Sequence, residues 1–324
     1  MFHSCFELTT ANVSNWNTES LIDTTLMFCQ CYKLQVIDVS SWNTISLQRA
    51  VAMFHECGSI QSLDLSSWNT SKLNEITYVD GSTVLGLFNG CSKLETIKLP
   101  EAFIDNKITD LQRMFFGCTL LTSVNITNWD TSNVTVMRQM FDGCENLVSL
   151  DIAHWDTGNV TDMRWLFGNC TKLSSVNIDK WDVSKVNDFA YMFYRCYCIT
   201  SLDLSSWITN KVINMNYMFG ACKSLKSLRL DNFNFSNVTE MIDFMDSSNT
   251  ELDYIKVYDV NTANKIASYL PDRTSKTTGL IECTTGSYDG LNREEVEARN
   301  WEFRILDTSY FILGKSKLGQ SKLK

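Results

Sequence analysis

No run of about 18 apolar residues occurs anywhere in the 324-residue chain, so no segment is built to cross a bilayer as a helix. Positive charge is also scarce, with 28 Lys and Arg against 37 Asp and Glu and a net charge of −9. Nucleic acid needs a basic face that displaces counterions, so a nucleic-acid partner is not expected. The features of a secretory leader (a basic start, an apolar run and a small-residue cleavage site) are missing. Only three histidines exist; none stands beside a Gly-x-Ser-x-Gly elbow, and no glycine loop is built to cradle phosphate. No catalytic residue, cofactor or metal site is therefore expected, and the chain reads as a non-enzyme.

What is abundant is apolar and aromatic side chains, 44% and 12% of the sequence, enough for a continuous core and incompatible with disorder over most of the chain. They recur. Copies of one phrase begin at Trp16, Trp42, Trp68, Phe103, Trp129, Trp155, Trp181, Trp207 and Phe233, each 26 residues after the last except Phe103, which follows Trp68 by 35. A fixed period of this length marks a stacked-coil architecture. The excess falls near residues 72–86, where an insertion is expected to loop out while the strands on either side stay in register.

Within a copy the periodicity changes. Val134, Met137, Met140 and Phe141 have the spacing of one face of a short helix, with Thr131 or Ser132 as N-cap and Gly143 at its left-handed end. Val148-Ser149-Leu150-Asp151-Ile152 then alternates with period two, as a strand does. The phrase Trp129-Asp-Thr-Ser-Asn-Val-Thr135, followed by Met137-x-x-Met140-Phe141-x-Gly143-Cys144-x-x-Leu147-x-Ser149-Leu150-Asp151-Ile152, resembles the BspA-like leucine-rich repeat surface proteins of bacteria and mycoplasmas. The resemblance covers residues 1–250. It departs from ordinary leucine-rich repeats three residues after Ile152, where Trp155 stands in place of Asn or Cys, so an aromatic column is expected where those proteins bury an amide ladder.

The expected fold is thus an α/β leucine-rich-repeat-like solenoid of about nine coils, with short parallel strands on one face and short helices on the other. Residues 1–250 form the solenoid, 251–307 a small α/β C-terminal cap, and 308–324 a basic tail repeating Leu-Gly-x-Ser-Lys. In the cap, Tyr254–Val257 reads as a strand, 261–270 as a helix stopped by Pro271, 279–284 as a strand, 292–300 as a helix and 301–306 as a closing strand. Residues 1–8 match only the back half of a copy, Met27 to Leu34, so an upstream segment or a partner is expected to cover the first coil.

Nine cysteines follow the repeat, from Cys5 to Cys222. Neighbouring copies lie within disulfide reach, but a cysteine in every coil is first a packing feature, since free Cys is among the most buried residue types. His3, Cys29 and His55 share one slot in successive coils; with neighbouring coils about 8–10 Å apart on that side, the outer two are too distant to share an ion. The outward strand position and its neighbour supply the candidate partner-binding face: Asp38, Asp64, Ser123, Asn125, Ser149, Asp151, Ser175, Asn177, Ser201, Asp203, Ser227 and Arg229. The resemblance implies a surface-exposed module that binds a protein or glycan partner, at the bacterial cell surface or secreted if a leader lies upstream. A bacteriophage tail-associated component and an intracellular interaction scaffold are the alternatives.

Overall fold

The computed structural model describes residues 1–105, 107–286 and 290–306; the Leu-Gly-x-Ser-Lys tail lies outside them. The chain winds as a β-solenoid of about 11 turns of ~26 residues. Its strands are short: β1 Thr10–Ala11, β2 Val36–Ile37, β3 Ser62–Asp64, β4 Tyr78–Asp80, β5 Thr83–Leu85, β6 Thr96–Lys98, β7 Ser149–Leu150, β8 Ser175–Val176, β9 Ser201–Asp203 and β10 Ser227–Leu230. The chain continues through β11 Tyr254–Asp259, α1 Val260–Ala267, β12 Gly279–Thr285, α2 Arg293–Ala298 and β13 Trp301–Ile305. Strands of successive coils pair in parallel, and β9 to β13 form one unbroken five-stranded sheet.

The insertion is a hairpin. β4 and β5 pair antiparallel with Asp80 opposite Thr83, and Gly81 supplies the positive φ (+58°) that so tight a turn needs. β3 pairs directly with β6, Ser62 opposite Thr96, so the stack is undisturbed around it.

The side opposite the strands differs from the helical reading. Among the described residues the α-helices are α1 and α2, both after residue 250. In most of the repeats two residues four apart take the left-handed conformation, as in Gln139 (φ 56°) with Gly143 (φ 79°) and Tyr191 with Arg195 (both φ 60°). Two such residues break any helix. Alternate amides donate to the next coil instead: Met137 N to Asp162 O at 3.1 Å, Gln139 N to Arg164 O at 2.9 Å, Phe141 N to Leu166 O at 3.1 Å. The amides between them close three-residue turns, such as Met140 N to Met137 O at 3.2 Å. A chain of turns produces the same inward set as a helix, and Met137, Met140, Phe141 and Cys144 are all 0% exposed. A neighbouring coil offers partners for every second peptide group, whereas a helix this short is marginal alone. Thr131 is accordingly no N-cap: its hydroxyl donates to Asp156 O of the next coil at 2.9 Å, as Thr157 does to Asp182 O.

Like residues stack in files. The rings of Trp16, Trp42 and Trp68 lie 6.0 and 6.1 Å apart, those of Trp129, Trp155 and Trp181 6.1 and 6.3 Å apart. A second file runs from Phe2 to Phe219 through every coil between. Each buried ring contributes about 1.5–3 kcal/mol from its apolar area. The indole nitrogens bind the files to the backbone, Trp155 donating to Ile126 O at 3.2 Å and Trp181 to Ile152 O at 3.1 Å. Trp129, the first tryptophan after the insertion, finds no such acceptor.

Candidate functional site

On the strand face the predicted residues divide into two groups. Asp38, Asp64 and Asp203 close the turn after their strand, accepting from the backbone N–H of Ser40, Ser66 and Ser205 at 3.0 Å each. The hydrogen bonds from Ser66, with Lys98 beside them, hold the Asp64 carboxyl down to about 2. Lys98 lies 3.1 Å from Asp64, and Arg229 sits 2.9 Å from Asp203 and 3.1 Å from Asp231. That chain of alternating charge continues to Lys256, Glu282 and Arg304. At both ends of the sheet, then, the charged residues are used internally.

The middle of the face is different. β7 sets Ser149 beside Ser175, and β9 sets Ser201 beside Ser227. Ser123, Ser149, Ser175 and Ser201 are exposed, and among the described residues their hydroxyls make no hydrogen bond. Asp151 and Asn177 are exposed next to them, Asp151 receiving only a 3.4 Å contact from Thr127. Ser123 and Asn125 lie outside any strand, where the ladder is interrupted between β6 and β7.

The turn face carries a feature that the sequence reading missed. Trp165, Tyr191 and Tyr217 stack at 4.1 and 4.8 Å, within 11° of parallel. Tyr194 stands edge-on to all three at 5.5–6.0 Å, and the Arg195 guanidinium lies 5.1 Å from its ring centroid. The three stacked rings occupy a left-handed slot that holds Leu26, Ala52, Arg113 and Gln139 in other coils, so the fold does not demand aromatics there. Reading that slot down the repeats at 26-residue spacing would have exposed it.

A column of isolated bridges on the same side joins Asp110, Val136, Asp162, Asp188, Asn214 and Glu240. Burial raises the Asp110 and Asp188 carboxyls, and Asp162 adds to the rise at both. A carboxyl raised in the folded state disfavours folding once ionised, and that penalty disappears below the unfolded value. Asp110→Asn keeps the acceptor for Gln112 N, now at 2.7 Å. It is expected to raise the thermal midpoint at pH 7, with the gain fading as pH falls through the raised value towards 3.8; scanning calorimetry across pH checks this.

The histidines do not converge. His3 and His154 are exposed, whereas His55 is buried with its Nδ1 unpartnered and Nε2 3.8 Å from Glu56. Among the described residues no three His, Cys, Asp or Glu side chains are grouped to hold a metal ion.

The family model described as "Mycoplasma protein of unknown function, DUF285" matches residues 1–81, 82–199 and 143–258. The chain belongs to this family. The resemblance of its motifs to BspA-like leucine-rich repeat proteins stands with that match. Among solved structures, a leucine rich cell surface protein from Faecalibacterium prausnitzii is similar at 15% identity and a TM-score of 0.33, over 72% of this chain and 75% of its own. The functional domain of InlJ from Listeria monocytogenes, which includes a cysteine ladder, is similar at 13% identity and a TM-score of 0.19, over 87% and 75%. No curated protein matches the chain.

In this DUF285 chain the repeat cysteines are unpaired. From Cys31 to Cys222 each column thiol points at a main-chain oxygen of the preceding coil, Cys144 Sγ to Phe115 O and Cys170 Sγ to Phe141 O at 3.1 Å. Burial pushes these thiols well above their ordinary range. Such thiols are poor nucleophiles, so the column is packing; Cys198, outside it, is exposed.

Proposed function

We propose that this chain is a non-catalytic binding module of the cell surface that holds a protein or glycan partner across its strand face. Residues 1–250 present the face, and 251–307 close the stack as a cap. What supports this reading is the row of serine hydroxyls at Ser123, Ser149, Ser175 and Ser201, one per coil, exposed and without internal partners, with Asp151 and Asn177 beside them. Repeat proteins recognise partners through extended surfaces of this kind. The ends of the sheet, tied up in ion pairs, are assigned to register instead.

The test is a solid-phase binding screen against purified extracellular-matrix proteins and arrayed glycans. The Asp151→Arg, Asn177→Arg, Ser201→Arg variant, folded by circular dichroism, is expected to lose at least ten-fold in affinity for whatever the wild type retains. Equal binding by the variant would contradict the assignment. The aromatic cluster of Trp165, Tyr191, Tyr194 and Tyr217 favours a second reading, since Trp, Tyr and Arg dominate protein interfaces. A Tyr194→Ala variant that loses binding while the arginine variant keeps it would move the partner to the turn face.

A further inference from the structure

Where the regular repeats give way to α1, a cleft of about 590 Å³ opens, wider than the cavities of about 460 and 360 Å³ at the same turn around Trp68 and Trp129. Its origin is local. The aromatic column reaches Phe233, stacked on Trp207 at 6.3 Å. Between β10 and β11 the offset grows by one residue, Ser227 standing opposite Tyr254, so that Val260 follows Phe233; Asp259 before it accepts from Thr262 N at 2.8 Å and starts α1. The helix leaves the track of the coils, and the end of the ring file becomes the floor of a cavity, with Phe235 tilted against Phe233 at 6.0 Å.

We infer that this cleft is a binding site for a neutral pyranose sugar. Tyr258 forms one wall, 49% exposed and, among the described residues, without a ring partner. In the register of the strands, earlier coils place Asp231 and Ser205 at its slot, so the aromatic there is not a requirement of the repeat. The opposite wall is amide. Asn234 donates to Asn210 at 2.8 Å and accepts from Ser236 N at 2.9 Å, which fixes both side chains. This leaves the Asn210 NH2 group directed to no other acceptor among the described residues, and Asn261 has no hydrogen-bond partner there.

Amides both donate and accept, as a ring of hydroxyls requires, while a tyrosine face receives the C–H side of a pyranose. The volume falls within the ~300–1,000 Å³ of small-molecule sites. A strongly anionic ligand is disfavoured, because Lys265 is the one cation in the lining and Asp259 shares it. The site lies apart from Ser149, Ser175 and Ser201 and stands independently of the strand-face reading.

Saturation-transfer NMR on the full chain with methyl β-D-glucopyranoside, methyl β-D-galactopyranoside and N-acetyl-D-glucosamine tests it. Transfer to the ring C–H protons of at least one sugar is expected. It should fall by at least ten-fold in Tyr258→Ala and in Asn261→Ala, and persist in the Asp151→Arg, Asn177→Arg, Ser201→Arg variant. No transfer from any of the three sugars at millimolar concentration, or transfer that survives both cleft substitutions, overturns the proposal. Loss of transfer in the arginine variant alone, with the cleft variants still binding, also overturns it.

Discussion

Replacing Trp181 by alanine is expected to remove about 3–5 kcal/mol of stability, the usual cost of deleting a large aromatic side chain from a packed core. The ring is 2% exposed, stacks on Trp155 at 6.3 Å and meets Phe167 at 6.3 Å. A hole there interrupts two files at once, and the coils on either side have no other core to retreat into. A milder pair of substitutions separates packing from hydrogen bonding. Trp181→Phe removes one of the two hydrogen bonds to the Ile152 carbonyl, the indole's at 3.1 Å, and leaves that of Trp155 N at 3.2 Å, whereas Trp129→Phe removes an indole N–H that is already buried without a partner. Trp181→Phe is therefore expected to cost about 0.5–1.5 kcal/mol more than Trp129→Phe, the net contribution of one hydrogen bond. Denaturant unfolding of the variants side by side measures the difference.

Asn249→Ala is the second large effect, expected at about 1–3 kcal/mol, chiefly from an Asp246 N–H left without its acceptor, while Phe219 O keeps Cys222 N at 3.3 Å. Asn249 is fully buried at the point where the cysteine column ends. Its amide donates to Phe219 O at 2.8 Å, the carbonyl that a further column thiol would have taken, and its Oδ1 accepts from Asp246 N at 2.9 Å. The side chain thus performs the last rung's duty with a different group. Alanine fills neither role, and the loss should appear as a lower denaturation midpoint with unchanged spectra in the folded baseline.

Much of this architecture was readable before any coordinates. Identical residues one period apart can all be buried only if the coils stack, so the Trp, Phe and Cys columns, the parallel strands and the looping-out of the insertion follow from spacing alone, though not its hairpin form. The helices did not survive because Met137, Met140 and Phe141 have a spacing that a run of turns satisfies equally well. The deciding information, that Gln139 and Gly143 take positive φ and that the Met137 amide bonds to Asp162 of the next coil, lies between coils and not within one. Thr131 was misread for the same reason: its acceptor is one coil away. On the strand face, spacing identified which side chains point outward but not which were already occupied. Asp64 and Asp203 are consumed by Lys98 and Arg229, pairings that need the register between strands. The aromatic cluster and the cleft at Tyr258 sit where copies depart from the shared phrase, and a reading tuned to what repeats passes over what does not.

Cross-linking tests the stacking most directly. Ser149 and Ser175 are register partners in β7 and β8, so their Cα atoms fall near the ~4.8 Å strand spacing, inside the ~4.4–6.8 Å that a disulfide spans. In a Cys198→Ser background, Ser149→Cys with Ser175→Cys should close under mild oxidation and leave the fold intact. Ser149→Cys with Ser201→Cys, two coils apart, should stay reduced. Closure of the second pair, or failure of the first, would contradict the stack of coils on which everything above depends.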